Sequence, residues 1–216
     1  MFSQAWPRFY HEILHRGAFA EQVFAGNQAG VCLVDQGLSQ ELMQSIAAEN
    51  NLAETAFISQ HADGYGLRWF TPEVEIDLCG HATLASAYVV FNFVGREAGL
   101  VVFQTQSGPL TVARQVDLLE MDFPSRPPEP VSVTALGTDC DFVSRFFAPK
   151  VDSQAPEDPV TGSTHCSLIP FWSARLGRKK LLARQLSKRG GCLYCEDHGR
   201  RVKIAGRAAL YLSFIR

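Results

Sequence analysis

The sequence predicts a β-rich α+β fold of two lobes, each wrapped around one helix. Two runs carry this reading: "ATLASAYVVFNF" (82–93) and "SLIPFWSARLG" (167–177). Both are apolar almost throughout, and a helix that is hydrophobic all round is a buried one. Each run follows an acid, a glycine and a histidine, in "DLCGH" (77–81) and in "EDPVTGSTH" (157–165). The rest of the chain divides into short apolar or alternating segments separated by turn residues, the pattern of strands. The repeat is one of architecture, since no short sequence period accompanies it.

"AGVCLV" (29–34), bounded by Gly26-Asn27 and Asp35, reads as a buried strand. Ser39 is placed to cap a helix with Glu41 in its first turn. Leu42, Met43, Ile46 and Ala47 form the apolar face, and Asn50-Asn51 the end. "TAFIS" and "GLRWF" read as strands, and Val74, Ile76 and Leu78 alternate with acids as in a half-buried strand. After the first apolar helix, "LVVFQTQSGPLTVARQVDLLEMDF" (100–123) reads as consecutive strands. The proline-rich "PSRPPEPV" (124–131) is the candidate linker, so the lobes are expected at 1–123 and 124–216. "DFVSRFF" reads as a strand. The second apolar helix ends on Gly177, with Pro170 in its first turns or kinking it. "CLYCE", "RVKIAG" and "ALYLSFI" are strand-like, and these C-terminal strands are placed to return to the first lobe.

The 216 residues are 46% hydrophobic and 19% charged, enough apolar material for a sizeable core. Net charge is −2, so no global field selects a polyanion. Residues 171–216 nevertheless hold twelve of the twenty Lys/Arg and two of the twenty-two acids. That asymmetry fits an anionic partner or, more simply, a solvated basic face; the expectation is no nucleic acid. No run reaches membrane-spanning length, and no apolar leader precedes residue 17, so a reducing cytoplasm is expected. The six cysteines form no disulfide framework. Cys192 and Cys195, even with His198, fall short of the four ligands of a structural zinc site, so no metal is expected.

Two helix N-termini facing one cleft would present unpaired N–H groups and partial positive charge to a carboxylate or phosphate. Gly80 and Gly162 would let the backbone approach a ligand, and Thr83 and Ser163 could add hydroxyl donors. The plainer reading makes the glycines turns and Asp77 and Asp158 capping residues; finding the motif twice favours a cleft. The acid–base candidates are Glu54, His81 and Asp158. Glu54 is flanked by Leu52, Ala53, Ala56 and Phe57, an apolar setting that tunes a carboxyl for proton transfer, although a turn glutamate is commonly just exposed. His165 reads equally as a satisfied core histidine. Cys79 lacks a matching cysteine near 160 for a two-thiol epimerase. "TGSTH" is no G-x-S-x-G elbow, and nucleotide and zinc-protease motifs are absent.

"VFAGNQAGVCLV", "ENNLAETAFIS", "RWFTPEVEIDLCGHATLASAYVV", "FQTQSGPLTV", "DFVSRFFAP" and "EDPVTGSTHCSLIPFWSARLG", in this order, resemble the PhzF-like phenazine-biosynthesis family. The resemblance implies a diaminopimelate-epimerase-like fold, two pseudo-symmetric β-rolls each around a central helix, with the active site between them. It implies an isomerase that shifts a proton on a small anionic substrate without metal or organic cofactor; a homodimer is expected as well. Its catalytic glutamate falls on Glu54, its cleft Gly-His on Gly80 and His81, and its acid and serine on Asp158 and Ser163. The chain departs from the family at Gln28, where proline is usual, in the segment before "ILHRGAFA", and after "PPEPV". There members carry several dozen further residues of the second lobe. A deletion near residues 131–133 is inferred, leaving that lobe shortened and apolar surface uncovered around Phe142, Phe146 and Phe147.

Overall fold

The structure, a computed structural model, describes residues 15–34, 38–61, 64–126, 132–147 and 157–212. The first part of the chain forms β1 (His15–Ala18), β2 (Asn27–Val34), α1 (Gln40–Asn50), β3 (Glu54–His61), β4 (Gly64–Phe70), β5 (Glu75–Ile76) and α2 (Gly80–Val89). A π-helical turn (Val90–Val94), β6 (Leu100–Thr105), β7 (Gly108–Gln115) and β8 (Leu118–Pro124) follow. The remainder forms β9 (Ser132–Leu136), β10 (Phe142–Phe147), β11 (Glu157–Asp158), α3 (Gly162–Leu176), β12 (Lys180–Gln185), β13 (Gly191–Asp197), β14 (Arg201–Gly206) and β15 (Ala208–Leu212).

The pairing pattern exposes an internal repeat. In the first lobe β4 pairs antiparallel with β3 and β5 and parallel with β6, and β6, β7 and β8 continue as an antiparallel meander. In the second lobe β10 pairs antiparallel with β9 and β11 and parallel with β12, and β12, β13 and β14 continue likewise. Each parallel crossover carries the apolar helix, α2 or α3, which the roll encloses. β8 and β14 join the lobes edge to edge, and β15 pairs with β1.

The repeat is incomplete in one place. β3 is flanked by the parallel strand β2, with α1 between them in sequence. Between β8 and β9 there is no counterpart of β2 or α1 among the described residues, and β9 pairs only with β10. The second lobe is therefore shortened. The proline-rich join, 127–131, lies outside the described residues.

Burial explains the strand and helix chemistry. Along β2, Ala29, Val31 and Leu33 face the main core around α2. Cys32 and Val34 face a smaller core closed by Met43 and Ala47 of α1 with Phe57 and Phe70. A strand covered on both faces is apolar at nearly every position, which is why "AGVCLV" does not alternate. The Ser39 hydroxyl accepts from the Leu42 N–H at 3.3 Å, a cap of the kind that stabilises a helix by ~1 kcal/mol. Nine of the ten α2 residues are buried, matching its all-round hydrophobicity.

Several expectations need correction. "EVEIDL" is not a full strand; only Glu75 and Ile76 pair. Leu42, expected on the buried face of α1, is exposed. Pro170 lies in the middle of α3, not its first turns. Phe142 is fully buried, stacked on Trp172 with ring centroids 5.7 Å apart, and Phe146 and Phe147 are half-buried. Among the described residues, the large apolar side chains left exposed in the second lobe include Val133, Leu136, Phe171, Leu186 and Tyr194.

Five of the twelve bases of the C-terminal region are paired with acids from earlier in the chain. Arg178, Arg184, Arg201, Lys203 and Arg207 form ion pairs with Asp141, Asp139, Asp122, Glu120 and Glu21 respectively. The asymmetry along the sequence is thus partly offset in space, by acids of β8 and of the segments before β2 and β10.

Candidate active site

The two helices meet at their N-termini. A Cβ on Gly80 would lie 2.6 Å from the Gly162 Cα, and one on Gly162 would lie 2.7 Å from the Gly80 Cα. The glycines expected to admit a ligand first of all admit each other. Neither helix has a side-chain N-cap: Cys79 and Thr161 occupy the capping positions without donating or accepting there. First-turn N–H groups from both lobes therefore converge on one place, with the positive ends of both helix dipoles.

A cavity of about 260 Å³ opens at this junction. It is lined by Glu54, Cys79, Gly80, His81 and Arg126 from the first part of the chain, and by Phe146, Asp158, Gly162 and Ser163 from the second, among others. Of the residues expected from sequence, Glu54, His81, Asp158, Gly80, Gly162 and Ser163 all line it. Thr83 does not. It is fully buried, and its hydroxyl donates to the Cys79 carbonyl at 2.5 Å, one turn back in α2. His165 is a core histidine, its Nδ1 hydrogen-bonded to the Thr161 carbonyl at 2.7 Å; burial pushes its pKa down to about 4, so it stays neutral.

The Glu54 carboxylate at the start of β3 meets the His81 imidazole, Oε2 to Nε2, at 2.8 Å. On the other side of the ring, Nδ1 lies 3.0 Å from Asn27 Nδ2 and 3.6 Å from Cys79 Sγ. Asn27, first residue of β2 and wholly buried, also donates to Asp158 Oδ1 at 2.5 Å and to the Val160 carbonyl at 3.0 Å. The Thr161 hydroxyl donates to Asp158 Oδ2 at 2.5 Å. Gln185 of β12 braces the turn, accepting from the Thr161 N–H at 2.8 Å and donating to the Asp158 carbonyl at 2.7 Å. Glu54, His81, Asn27 and Asp158 thus form one chain of polar contacts from lobe to lobe.

Burial disfavours the His81 imidazolium, but Cys79, were it ionised, and Glu54 pull the other way and hold the pKa well above its usual value. Burial also pushes the Cys79 thiol up, so it is neutral near pH 7 and the effective attraction is that of Glu54. Burial raises Asp158 to about 6; the His81 charge and the Thr161 and Asn27 hydrogen bonds restrain the rise, while Glu54 adds to it.

Glu54, Cys79 and His81 bring three metal-ligating atoms within 4.8 Å of one another. Glu54 faces Nε2 and Cys79 faces Nδ1, however, so no single ring nitrogen meets both, and the arrangement fits an ion poorly.

Asn27, Gln185 and Arg126 were not anticipated from the sequence. "AGNQAG" reads as a turn before a strand, and only the fold shows that the Asn27 amide is buried against the other lobe. Gln185 lies in a segment rich in Lys and Arg. Arg126 reaches the cavity from the linker, its Nη2 donating to Asp77 Oδ2 at 3.1 Å. Its backbone N–H donates to the Cys166 carbonyl at 3.2 Å, an acceptor that Pro170, four residues on, cannot serve because it has no N–H.

Residues 17–138 and 129–213 match the family model described as phenazine biosynthesis-like protein. The chain is 42% identical over 247 residues to an uncharacterized isomerase of Pseudomonas aeruginosa, covering 91% of this chain and 95% of the relative. Since 91% of 216 residues is about 197, on the order of fifty residues of that alignment have no counterpart here. Two solved structures are similar. One is a phenazine biosynthesis PhzC/PhzF protein of Clostridium difficile, described as putative (41% identity, TM-score 0.85, 95% of this chain and 98% of that one). The other is a PhzF-family protein of Enterococcus faecalis (40%, TM-score 0.87, 94% and 97%).

Proposed function

Because the chain belongs to the phenazine biosynthesis-like family, we propose that it is an isomerase that moves a proton on the carbon skeleton of a small carboxylate-bearing substrate by acid–base chemistry alone. The observation that carries this reading is the position of Glu54 and Asp158. They come from different lobes and line one cavity at the meeting point of two uncapped helix N-termini.

In this reading the substrate carboxylate is held by the first-turn N–H groups of α2 and α3 with the Ser163 hydroxyl, where backbone donors and helix dipoles favour negative charge. Arg126 on the rim adds a cation. Glu54 removes a proton from one carbon and returns it to another, and His81 and Asp158 orient the substrate and balance the charge that develops. The cavity lies just under the ~300–1,000 Å³ range of drug-sized sites, which favours a compact substrate.

The test is hydrogen exchange. Candidate carboxylates are incubated with the protein in D₂O and read by NMR and mass spectrometry. Carbon-bound deuterium appearing in one of them supports the reading. A thermal melt with 3-hydroxyanthranilate, a product-like ligand for the isomerisation the resemblance implies, reports whether the cavity binds this class at all.

A second reading is a catalytically impaired relative that binds a partner through its basic C-terminal region. The missing segment favours it; the pairing of five of those bases with acids argues against it. Binding to nucleic acid that weakens steeply with salt, together with no deuterium exchange, would select this second reading.

A further inference from the structure

We propose that Asn27 is a positioning residue that fixes the tautomer of neutral His81, leaving Nδ1 as the acceptor and the single proton on Nε2, the nitrogen 2.8 Å from Glu54 Oε2. The inference deepens the acid–base reading of the site and rests on it for its catalytic meaning, but its geometry stands apart from any substrate.

The argument begins with the Val160 carbonyl. It can only accept, and it lies 3.0 Å from the Asn27 side-chain atom that also lies 2.5 Å from Asp158 Oδ1. An amide oxygen in that place would face two acceptors, so the atom is the nitrogen. The same nitrogen lies 3.0 Å from His81 Nδ1. A protonated Nδ1 would set N–H against N–H there, whereas an unprotonated Nδ1 can share the amide's two protons with Asp158 and Val160. The hydrogen bond at one ring nitrogen decides where the other carries its proton, and Nε2, 2.8 Å from Glu54 Oε2, then carries it without being aligned as a hydrogen-bond donor to that oxygen.

The groups around the ring act in opposite senses. Glu54, from β3, favours a second proton on the imidazole. Asn27, from β2, opposes it at Nδ1. Cys79, at the start of α2, offers only a neutral sulfur 3.6 Å away. Asp158, from the other lobe, holds the Asn27 amide in place, and Arg126 lines the same cavity. With a single carbonyl as the arbiter, the amide cannot turn over without losing Asp158 and Val160 together. The side chain that ties the lobes together here therefore also sets the proton position on His81.

The experiment reads His81 by ¹⁵N–¹H correlation spectra of the ¹⁵N-histidine-labelled full chain across pH, assigned by loss of its signals in His81→Gln. The wild-type neutral form is expected as the Nε2–H tautomer. Asn27→Ala should bring the Nδ1–H form into the spectrum. Asn27→Asp, nearly isosteric, should place an acceptor at Nδ1 and raise the His81 titration by about one unit or more, as an opposite charge at this range does. The proposal is overturned if wild-type neutral His81 carries its proton on Nδ1, or if folded Asn27→Asp leaves tautomer and titration unchanged. The wild-type and Asn27→Asp spectra decide the matter even where Asn27→Ala fails to fold. Because no substrate is involved, a correct tautomer with no exchange activity sinks the isomerase reading alone. Activity with an Nδ1–H ring sinks this inference alone.

Discussion

Gly80 and Gly162 touch backbone to backbone, and a Cβ added to either would lie 2.6–2.7 Å from the other's Cα. No rotamer relieves such a clash, because both parties are main chain at helix N-termini. Gly80→Ala and Gly162→Ala should each destabilise the protein by roughly 1–3 kcal/mol, the usual penalty of overpacking. The double variant should cost less than the sum, since the first substitution already parts the helices. Urea unfolding midpoints measure this, and a wild-type midpoint for either single variant would show that the helices do not abut.

Glu54→Gln keeps the shape of the side chain and removes the proposed proton carrier. Turnover should fall by about 10²–10⁴-fold, the typical loss of a general acid–base group. Ligand binding, read by isothermal titration with 3-hydroxyanthranilate, should change little, whereas Ser163→Ala should weaken binding more than turnover. Unchanged kcat in Glu54→Gln would move the role to His81 or Cys79.

Pro170 and Arg126 form a second testable pair. The proline leaves the Cys166 carbonyl without its helical partner, and the Arg126 N–H takes it. Pro170→Ala supplies a competing N–H inside α3. Thermal stability should rise, since proline in a helix interior costs ~3 kcal/mol. Binding of an anionic ligand should weaken as Arg126 loses its anchor. A gain in stability with unchanged affinity would show that the anchor does not position Arg126.

Asp158 gives the pH dependence. Burial raises its pKa from the ordinary 3.8 to about 6, so the native state holds a proton that the unfolded chain has released across that interval. Where the native state binds more protons, stability falls as pH rises. Between about pH 4 and pH 6 this residue should therefore lower stability progressively, and the loss is complete above. Asp158→Asn should flatten that part of the stability–pH curve relative to wild type. A steeper curve in the variant would mean the carboxyl is stabilised as the anion.

The two central helices were legible because burial on every side leaves an unmistakable apolar run. So were the six cavity residues, which follow from Glu54 between apolar neighbours and from two similar helix entries. β12 was not, because "KLLARQ" pairs its outward Lys and Arg with acids from other strands, and a single sequence shows only the charge. β9 follows proline-rich sequence and alternates weakly. Thr83 was misread because a hydroxyl in a first helical turn has two destinations, the ligand and the carbonyl four residues back, and only the fold shows which it takes. Asn27 carries no local signal at all, since its partners lie 54 and 131–133 residues away.

β9 supplies the last prediction. In the first lobe the corresponding strand, β3, has β2 along its outer edge; among the described residues β9 has only β10. Val133 and Leu136 of β9 are more than 60% exposed, and Phe171 of α3 is exposed as well. An open edge with apolar side chains is a template for pairing with another chain. A second copy brings an identical edge, and two such edges meet antiparallel about a two-fold axis, forming a closed contact. Sedimentation across concentrations should show reversible dimerisation. Val133→Lys and Leu136→Lys, which put charge on the edge, should shift the equilibrium toward monomer without altering His81 spectra or ligand binding. Monomer at every concentration in the wild type, or a dimer indifferent to both lysines, would show that this edge is not where copies meet.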